Sequence, residues 1–139
     1  MGKTIIVLCP YCNERAELVP DTQVYRRSYG GMVYLCRSCN AWVGCHKNGK
    51  GNNPLGRMAN AELRKLKIRG HFLLDPIWKS AWKIRGGSKN FHRNTAYHWL
   101  ADSTGIPFSE CHFGMFDEIR CAAAIDFLEK FYRSIGREV

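Results

Sequence analysis

Hydrophobic and polar residues change rhythm once along this chain of 139 residues. In the first part, apolar positions come in short β-branched or alternating runs, each closed by turn residues. Thr4–Leu8 is apolar and β-branched, and Arg15–Val19 alternates before the turn signal Pro20-Asp21. Val24–Ser28 reads as a further strand and Gly30-Gly31 as a turn. Met32–Leu35 and Ala41–Gly44 read as two more strands. The pattern is a meander of three to five short strands. Residues 46–57 hold four Gly or Pro and three Asn, the composition of a loop or linker.

Beyond residue 57 the apolar spacing becomes helical. Asn60 is placed to cap a helix in which Leu63, Leu66, Leu73 and Leu74 form an apolar stripe. Pro76 disfavours helix at Asp75, so the helix should stop near Leu74. Asp75 would then cap a second helix, Pro76–Ile84, with Trp78 and Trp82 on one face. Arg85-Gly86-Gly87-Ser88 breaks it. A third helix over Lys89–Ser103 turns Tyr97, Leu100 and Ala101 inward, and Gly105 and Pro107 end it. A fourth, Asp117–Ile135, is capped by Asp117 and buries Ala124, Phe127, Leu128 and Phe131. The expected class is α+β: an N-terminal ribbon of short antiparallel strands over 1–46, a basic linker over 47–57, and a bundle of about four helices over 58–139. No internal repeat or low-complexity segment interrupts it.

Chemistry enters with the cysteines. Cys9-Pro-Tyr-Cys12 and Cys36-Arg-Ser-Cys39 are two Cys-x-x-Cys turns, each between predicted strands. That spacing suits a zinc ribbon, in which each tight turn offers two thiolates to one tetrahedral ion. Asn13 and Asn40 follow the two turns, and asparagine tolerates the left-handed backbone such knuckles use. Four thiolates leave no open coordination position, so one structural Zn²⁺ is expected rather than a catalytic one. Seven cysteines are an odd number, and with no secretory leader pattern and no membrane-length apolar run they suit a reducing cytoplasm better than a disulfide scaffold. Cys45, Cys111 and Cys121 are left over.

The formal charge is +9, and it is concentrated. Residues 41–100 carry twelve Lys/Arg against two Asp/Glu, whereas residues 101–139 carry four against seven. A field of this kind favours phosphate-rich partners, the alternative being a solubilising surface. Tyr25-Arg26-Arg27-Ser28-Tyr29 interleaves rings and cations, a pattern able to stack bases and touch phosphates. The candidate nucleic-acid contacts are Tyr25, Arg26, Arg27, Tyr29, Lys47, Lys50, Arg64, Lys65, Lys67, Lys83, Arg85, Lys89 and Arg93.

Other patterns are weaker. Ala101-x-x-x-Gly105-Ile106 has the small residue and glycine of a helix-turn-helix, with Cys111 inside its second helix, although Pro107 and Gly114 fit such a helix poorly. His71 and Asp75 have the spacing of a helical acid–base pair, and His71, His112 and Cys121 can be drawn as a second metal site. Gly86-Gly87-Ser88-Lys89 lacks the pattern of a phosphate-binding P-loop.

Several runs carry a family likeness: Pro54-Leu55-Gly56; Ala59 to Arg64; His71, Phe72, Asp75 and Trp78; Ala96 to Ala101; His112-Phe113-Gly114; Phe116-Asp117; and Cys121. Together with both cysteine pairs they resemble a zinc-finger-containing domain family of phages and prophages whose function is unknown. The resemblance implies a ribbon followed by helices, a phage-encoded protein in the host cytoplasm, and no established activity. It marks His71, Asp75, His112 and Cys121 as core positions or as an unrecognised site. Three classes of function are left to weigh: a nucleic-acid-binding protein; a small protein that binds and inhibits or redirects a host protein complex through anchors among Trp42, Trp78, Trp82 and Trp99; and a metal-dependent nuclease. The last lacks paired carboxylates at a convincing spacing.

Overall fold

The computed structural model describes residues 5–46 and 51–138, and the chain divides into two compact units, Met1–Glu62 and Leu63–Val139. In the first unit, strands β1 (Glu17–Pro20), β2 (Met32–Cys36) and β3 (Ala41–Gly44) form an antiparallel sheet in the order β1-β2-β3. The central strand is apolar without alternation because both of its faces are covered, and Val33 to Cys36 are all buried. Cross-strand partners share a face. Tyr34 lies opposite Val43 and Cys36 opposite Ala41, and this side packs on Cys9, Ala16 and Met58. The other side carries Val33 and Leu35, with Leu35 opposite Trp42. Residues 53–59 return along β3. His46 N–H donates to Asn53 O (2.8 Å), Leu55 N–H donates to Gly44 O (2.9 Å), and Trp42 and Ala59 pair in a two-residue bridge.

The expected strand over Val24–Ser28 does not form. A 3₁₀ turn, Asp21–Gln23, leads instead into a loop. Local acceptors take the backbone donors a ladder would need. The Asp21 carbonyl accepts Val24 N–H (3.0 Å) and Tyr25 N–H (2.9 Å), and the Asp21 carboxylate accepts Tyr29 N–H (2.8 Å). Thr4–Leu8 is likewise not a strand in its described part; it contributes the isolated bridge between Leu8 and Arg15.

The second unit is built from α1 (Ala61–Arg85), α2 (Lys89–Thr104) and α3 (Glu118–Ser134), so among the described residues there are three α-helices where about four were expected. The break expected at Pro76 is absent: α1 runs through it, and Asp75 caps nothing. Pro76 is exposed, and so is Phe72, whose carbonyl loses its N–H partner. Leu73, Leu74 and Trp78 on either side of it are buried on one stripe, which keeps the helix in line. Tyr132 on α3 donates its hydroxyl to the Leu73 carbonyl (2.6 Å) in the turn before the proline.

The other helix ends follow their chemistry. Ser88 caps α2 by accepting Phe91 N–H (3.3 Å), and Gly105 closes it at φ 78°, where a side chain would be strained. Asp117 caps α3 by accepting Arg120 N–H (2.9 Å). Between α2 and α3 the chain makes two short 3₁₀ turns, Phe108–Glu110 and Phe113–Met115. There is consequently no second helix after Gly105, and the helix-turn-helix reading fails, although Cys111 is fully buried as that reading required. Phe113 packs flat on Gly70 of α1, leaving no room for a Cβ there. Leu63, Leu100, Phe116, Ala124 and Leu128 complete the core, and Arg69 on α1 pairs with Glu129 on α3 at 3.1 Å.

Candidate metal centre and basic surfaces

The two knuckles are built as their sequences require. Cys9 accepts Asn13 N–H at its carbonyl (2.7 Å) and donates its own N–H to Glu14 O (2.8 Å), which wraps the first turn. Asn13 and Asn40 stand at φ 63° and 50°, the left-handed conformation expected of both. The second knuckle joins β2 to β3, so the sheet sets the place of Cys36 and Cys39. The sulfurs of Cys9, Cys12, Cys36 and Cys39 all lie within 4.8 Å of one another, and those of Cys12 and Cys36 are 3.6 Å apart. A tetrahedral ion with Zn–S bonds of about 2.3 Å has sulfur edges of about 3.8 Å, so the donor set fits zinc.

Over residues 5–131 the sequence matches the family described as a zinc-finger-containing domain. The chain belongs to this family. The match takes in both knuckles and nearly all of the helical unit, so the family's domain is more than the ribbon. Neither curated proteins nor solved structures yield a match to the chain. In this zinc-finger-containing domain the four cysteines form one zinc site, and no other metal-sized group of His, Cys, Asp and Glu exists among the described residues. The metal set drawn from His71, His112 and Cys121 is therefore not assembled. Cys121 is fully buried in the helical core.

The electrostatics of the knuckles favour a cation. The Ser38 hydroxyl, 3.4 Å from the Cys36 sulfur, and the Cys39 backbone N–H lower the Cys36 thiol to about 6. Burial, and then the neighbouring sulfurs, push Cys39 up to about 12. Glu14's backbone N–H favours the Cys12 thiolate, yet burial and the sulfurs of Cys36 and Cys9 leave this thiol above its usual value. Four thiolates cannot share so small a volume without a compensating charge, and zinc supplies it. The position of Ser38 between the cysteines was visible in the sequence, but its role depends on its hydroxyl turning back toward Cys36.

The tyrosine–arginine segment lies on the 21–31 loop rather than on a strand. Tyr25 and Tyr29 meet edge to face at 5.3 Å, Tyr25 meets Trp42 at 5.2 Å, and the Arg27 guanidinium stands 5.2 Å from the Tyr29 ring centre. Tyr29 is 56% exposed and Arg26 and Arg27 are exposed. Sequence reading singled out these four residues and missed Asp21, whose buried carboxylate holds the loop through Tyr29 and Gly31 N–H groups. Its only signal was a turn-forming Pro-Asp pair.

In the helical unit the candidate cations fall into two groups. Arg64, Lys65 and Lys67 sit near the start of α1, and Lys67 donates to the Gly114 carbonyl (3.2 Å). Lys83 and Arg85 end the same helix, about 27 Å from Lys65 at 1.5 Å per residue. Lys89 and Arg93 open α2 beside them. Lys47 and Lys50 lie outside the described residues.

His71 and Asp75 do come together: Nδ1 lies 3.5 Å from Oδ2, while Oδ1 accepts the Trp78 indole N–H (3.0 Å). His112 is apart from that pair, its ring 4.8 Å from that of Tyr97, and burial followed by Arg93 pushes it below its usual value. Of the four tryptophans, Trp78 is buried, Trp42 and Trp99 are half-buried, and Trp82 is 40% exposed. No helix among the described residues is long and apolar enough to cross a membrane.

Proposed function

We propose that this protein binds nucleic acid, with the 21–31 loop of the zinc-bearing unit as the principal contact surface. The observation that carries the reading is the ring–cation array of that loop, in which Tyr25, Arg26, Arg27 and Tyr29 are exposed on a backbone held by Asp21. Rings offer faces to bases and guanidinium groups offer paired donors to phosphates. A fixed loop loses less freedom on binding than a mobile one. The zinc site supports the arrangement from the other end of β2, which runs from the loop at Met32 to the ligand Cys36.

The cations of the helical unit, Arg64, Lys65, Lys67, Lys83, Arg85, Lys89 and Arg93, add phosphate contacts, as do Lys47 and Lys50. With so many ionic contacts, counterion release dominates the affinity. In the phage setting that the family likeness implies, the ligand is nucleic acid of the phage or its host cell.

The test is a titration of zinc-loaded protein against a labelled oligonucleotide at about 50 and about 200 mM salt, with zinc content and A260/A280 read on the same sample. Affinity falls by orders of magnitude between the two salts. The double change Arg26→Ala, Arg27→Ala weakens binding and lowers the salt slope by about 2, with zinc content unchanged. Undiminished binding at the higher salt, or a slope unmoved by the double change, overturns the reading.

A further inference from the structure

Where α1 meets α2, the helical unit has an open groove of about 500 Å³, a size typical of small-molecule sites. Five of its ten lining side chains are rings: Trp78, Phe91, His92, Trp99 and Phe131. Phe91 is 65% exposed, so its face is available. The groove is built in advance of any ligand. His92 Nε2 donates to the Gly86 carbonyl (2.7 Å) and the Trp82 indole N–H donates to the Gly87 carbonyl (3.0 Å), which ties down the turn between the helices. Gly86 and Gly87 take φ of 72° and 85° there, conformations closed to most side chains.

Charge selects the occupant. From Pro76 to Ala101 the chain has five Lys/Arg and no Asp or Glu. Arg85 lines the groove, and the Lys89 ammonium lies 5.8 and 5.9 Å from the Trp78 and Trp82 ring centres. The ligand must bring both negative charge and a flat apolar body. A duplex brings the charge but keeps its bases stacked and out of reach. A single strand brings both, because an unpaired base can leave the stack and lie against a ring. An aliphatic knob from an acidic peptide would match the charge but would cover the flat ring faces less fully than a planar base.

We propose that this groove holds an unpaired base of a single-stranded nucleic acid, with Arg85 and Lys89 on the flanking phosphates. The proposal rests on the nucleic-acid reading above and adds a strand preference to it.

The test uses full-length, zinc-loaded protein and three fluorescent probes of equal length: oligo-dT, an abasic strand with the same phosphates, and a duplex. Wild-type protein prefers oligo-dT to the other two by about tenfold or more, and oligo-dT quenches tryptophan fluorescence. Phe91→Ala, at an exposed position, lowers oligo-dT affinity about five- to tenfold and abasic-strand affinity less than about twofold. Lys89→Ala weakens both single strands. Helicity and zinc content are checked in each variant.

Equal binding of all three probes, or a Phe91→Ala loss that is the same for oligo-dT and the abasic strand, overturns the groove assignment and leaves the nucleic-acid reading standing. Failure of the wild type to bind any probe overturns both. Tryptophan quenching by an acidic amphipathic peptide, with none by oligo-dT, also overturns the assignment and gives the groove to a protein partner.

Discussion

The two units solve the problem of stability by different means. The helical unit buries large side chains, among them Tyr97, Phe113, Phe116, Leu73, Leu74, Leu100 and Leu128, all with almost no exposed surface. On the knuckle-bearing face the ribbon's buried cluster is Cys9, Ala16, Tyr34, Cys36, Ala41, Val43 and Met58, of which two are metal ligands and two are alanines, and the other face adds Val33 and Leu35. A small three-stranded sheet with such residues gains little from burial. Zinc binding, with an apparent free energy of about 10–16 kcal/mol for structural sites, is large enough to replace the missing core. One unit is held by dispersed packing, the other by a single point.

The comparison is broken most directly by removing the metal. Chelation, or Cys39→Ser, unfolds the ribbon while the far-ultraviolet helical signal persists, and amide spectra of the full chain separate the two sets of resonances. Simultaneous loss of both sets would mean that the units are not independent in stability. Acid acts in the same direction. Zinc binds thiolates, and burial holds Cys39 near 12, so binding releases protons and weakens as pH falls. Cys36, lowered to about 6, stays ionised until the pH drops through that value, below which its contribution is lost too. Zinc affinity measured against a competing chelator across about pH 8 to 5 checks the sign.

Next in size is a perturbation of packing. Gly70→Ala forces a methyl group into the fully buried Phe113 ring, and overpacking of this kind costs about 1–3 kcal/mol, more than the roughly 1 kcal/mol a helix gains from alanine. Thermal unfolding of the helical unit shifts down while zinc content stays constant. Tyr132→Phe leaves the Leu73 carbonyl without its hydroxyl donor beside Pro76, and costs about 1–2 kcal/mol in denaturant unfolding. Asp117→Ala, which removes the cap of α3, costs about 1 kcal/mol. None of the three changes alters the chelator competition if the division between the units is right.

Much of the fold was legible along the chain. The β3 residues, the start of α2, the Ser88-to-Gly105 frame and the Asp117 cap all follow from local signals that tertiary contacts did not oppose. The zinc ligands were equally legible, because a Cys-x-x-Cys turn is a local device and two of them specify one site. Two readings failed, one to a partner distant along the chain and one to a local acceptor. Pro76 should end a helix, yet the buried stripe on either side and the Tyr132 hydroxyl from α3 hold the chain in line. Val24–Ser28 has strand-like residues, yet the Asp21 carbonyl claims the Val24 and Tyr25 N–H groups, and its carboxylate holds Tyr29 just beyond.

The groove between α1 and α2 was not legible at all. Its walls come from positions as distant as Trp78 and Phe131, and no periodicity reports that rings so far apart line one cavity.

Composition and spacing alone determined that this chain has a zinc knuckle pair, a basic middle and an amphipathic helical half, because ligands, charges and helical stripes are set by residue type at short range. Only the tertiary structure decided that α1 is continuous, that the tyrosines and arginines share a braced loop, and that five rings line one groove. Those features depend on which distant backbone donors, hydroxyls and ring faces meet, and that is settled by packing in three dimensions.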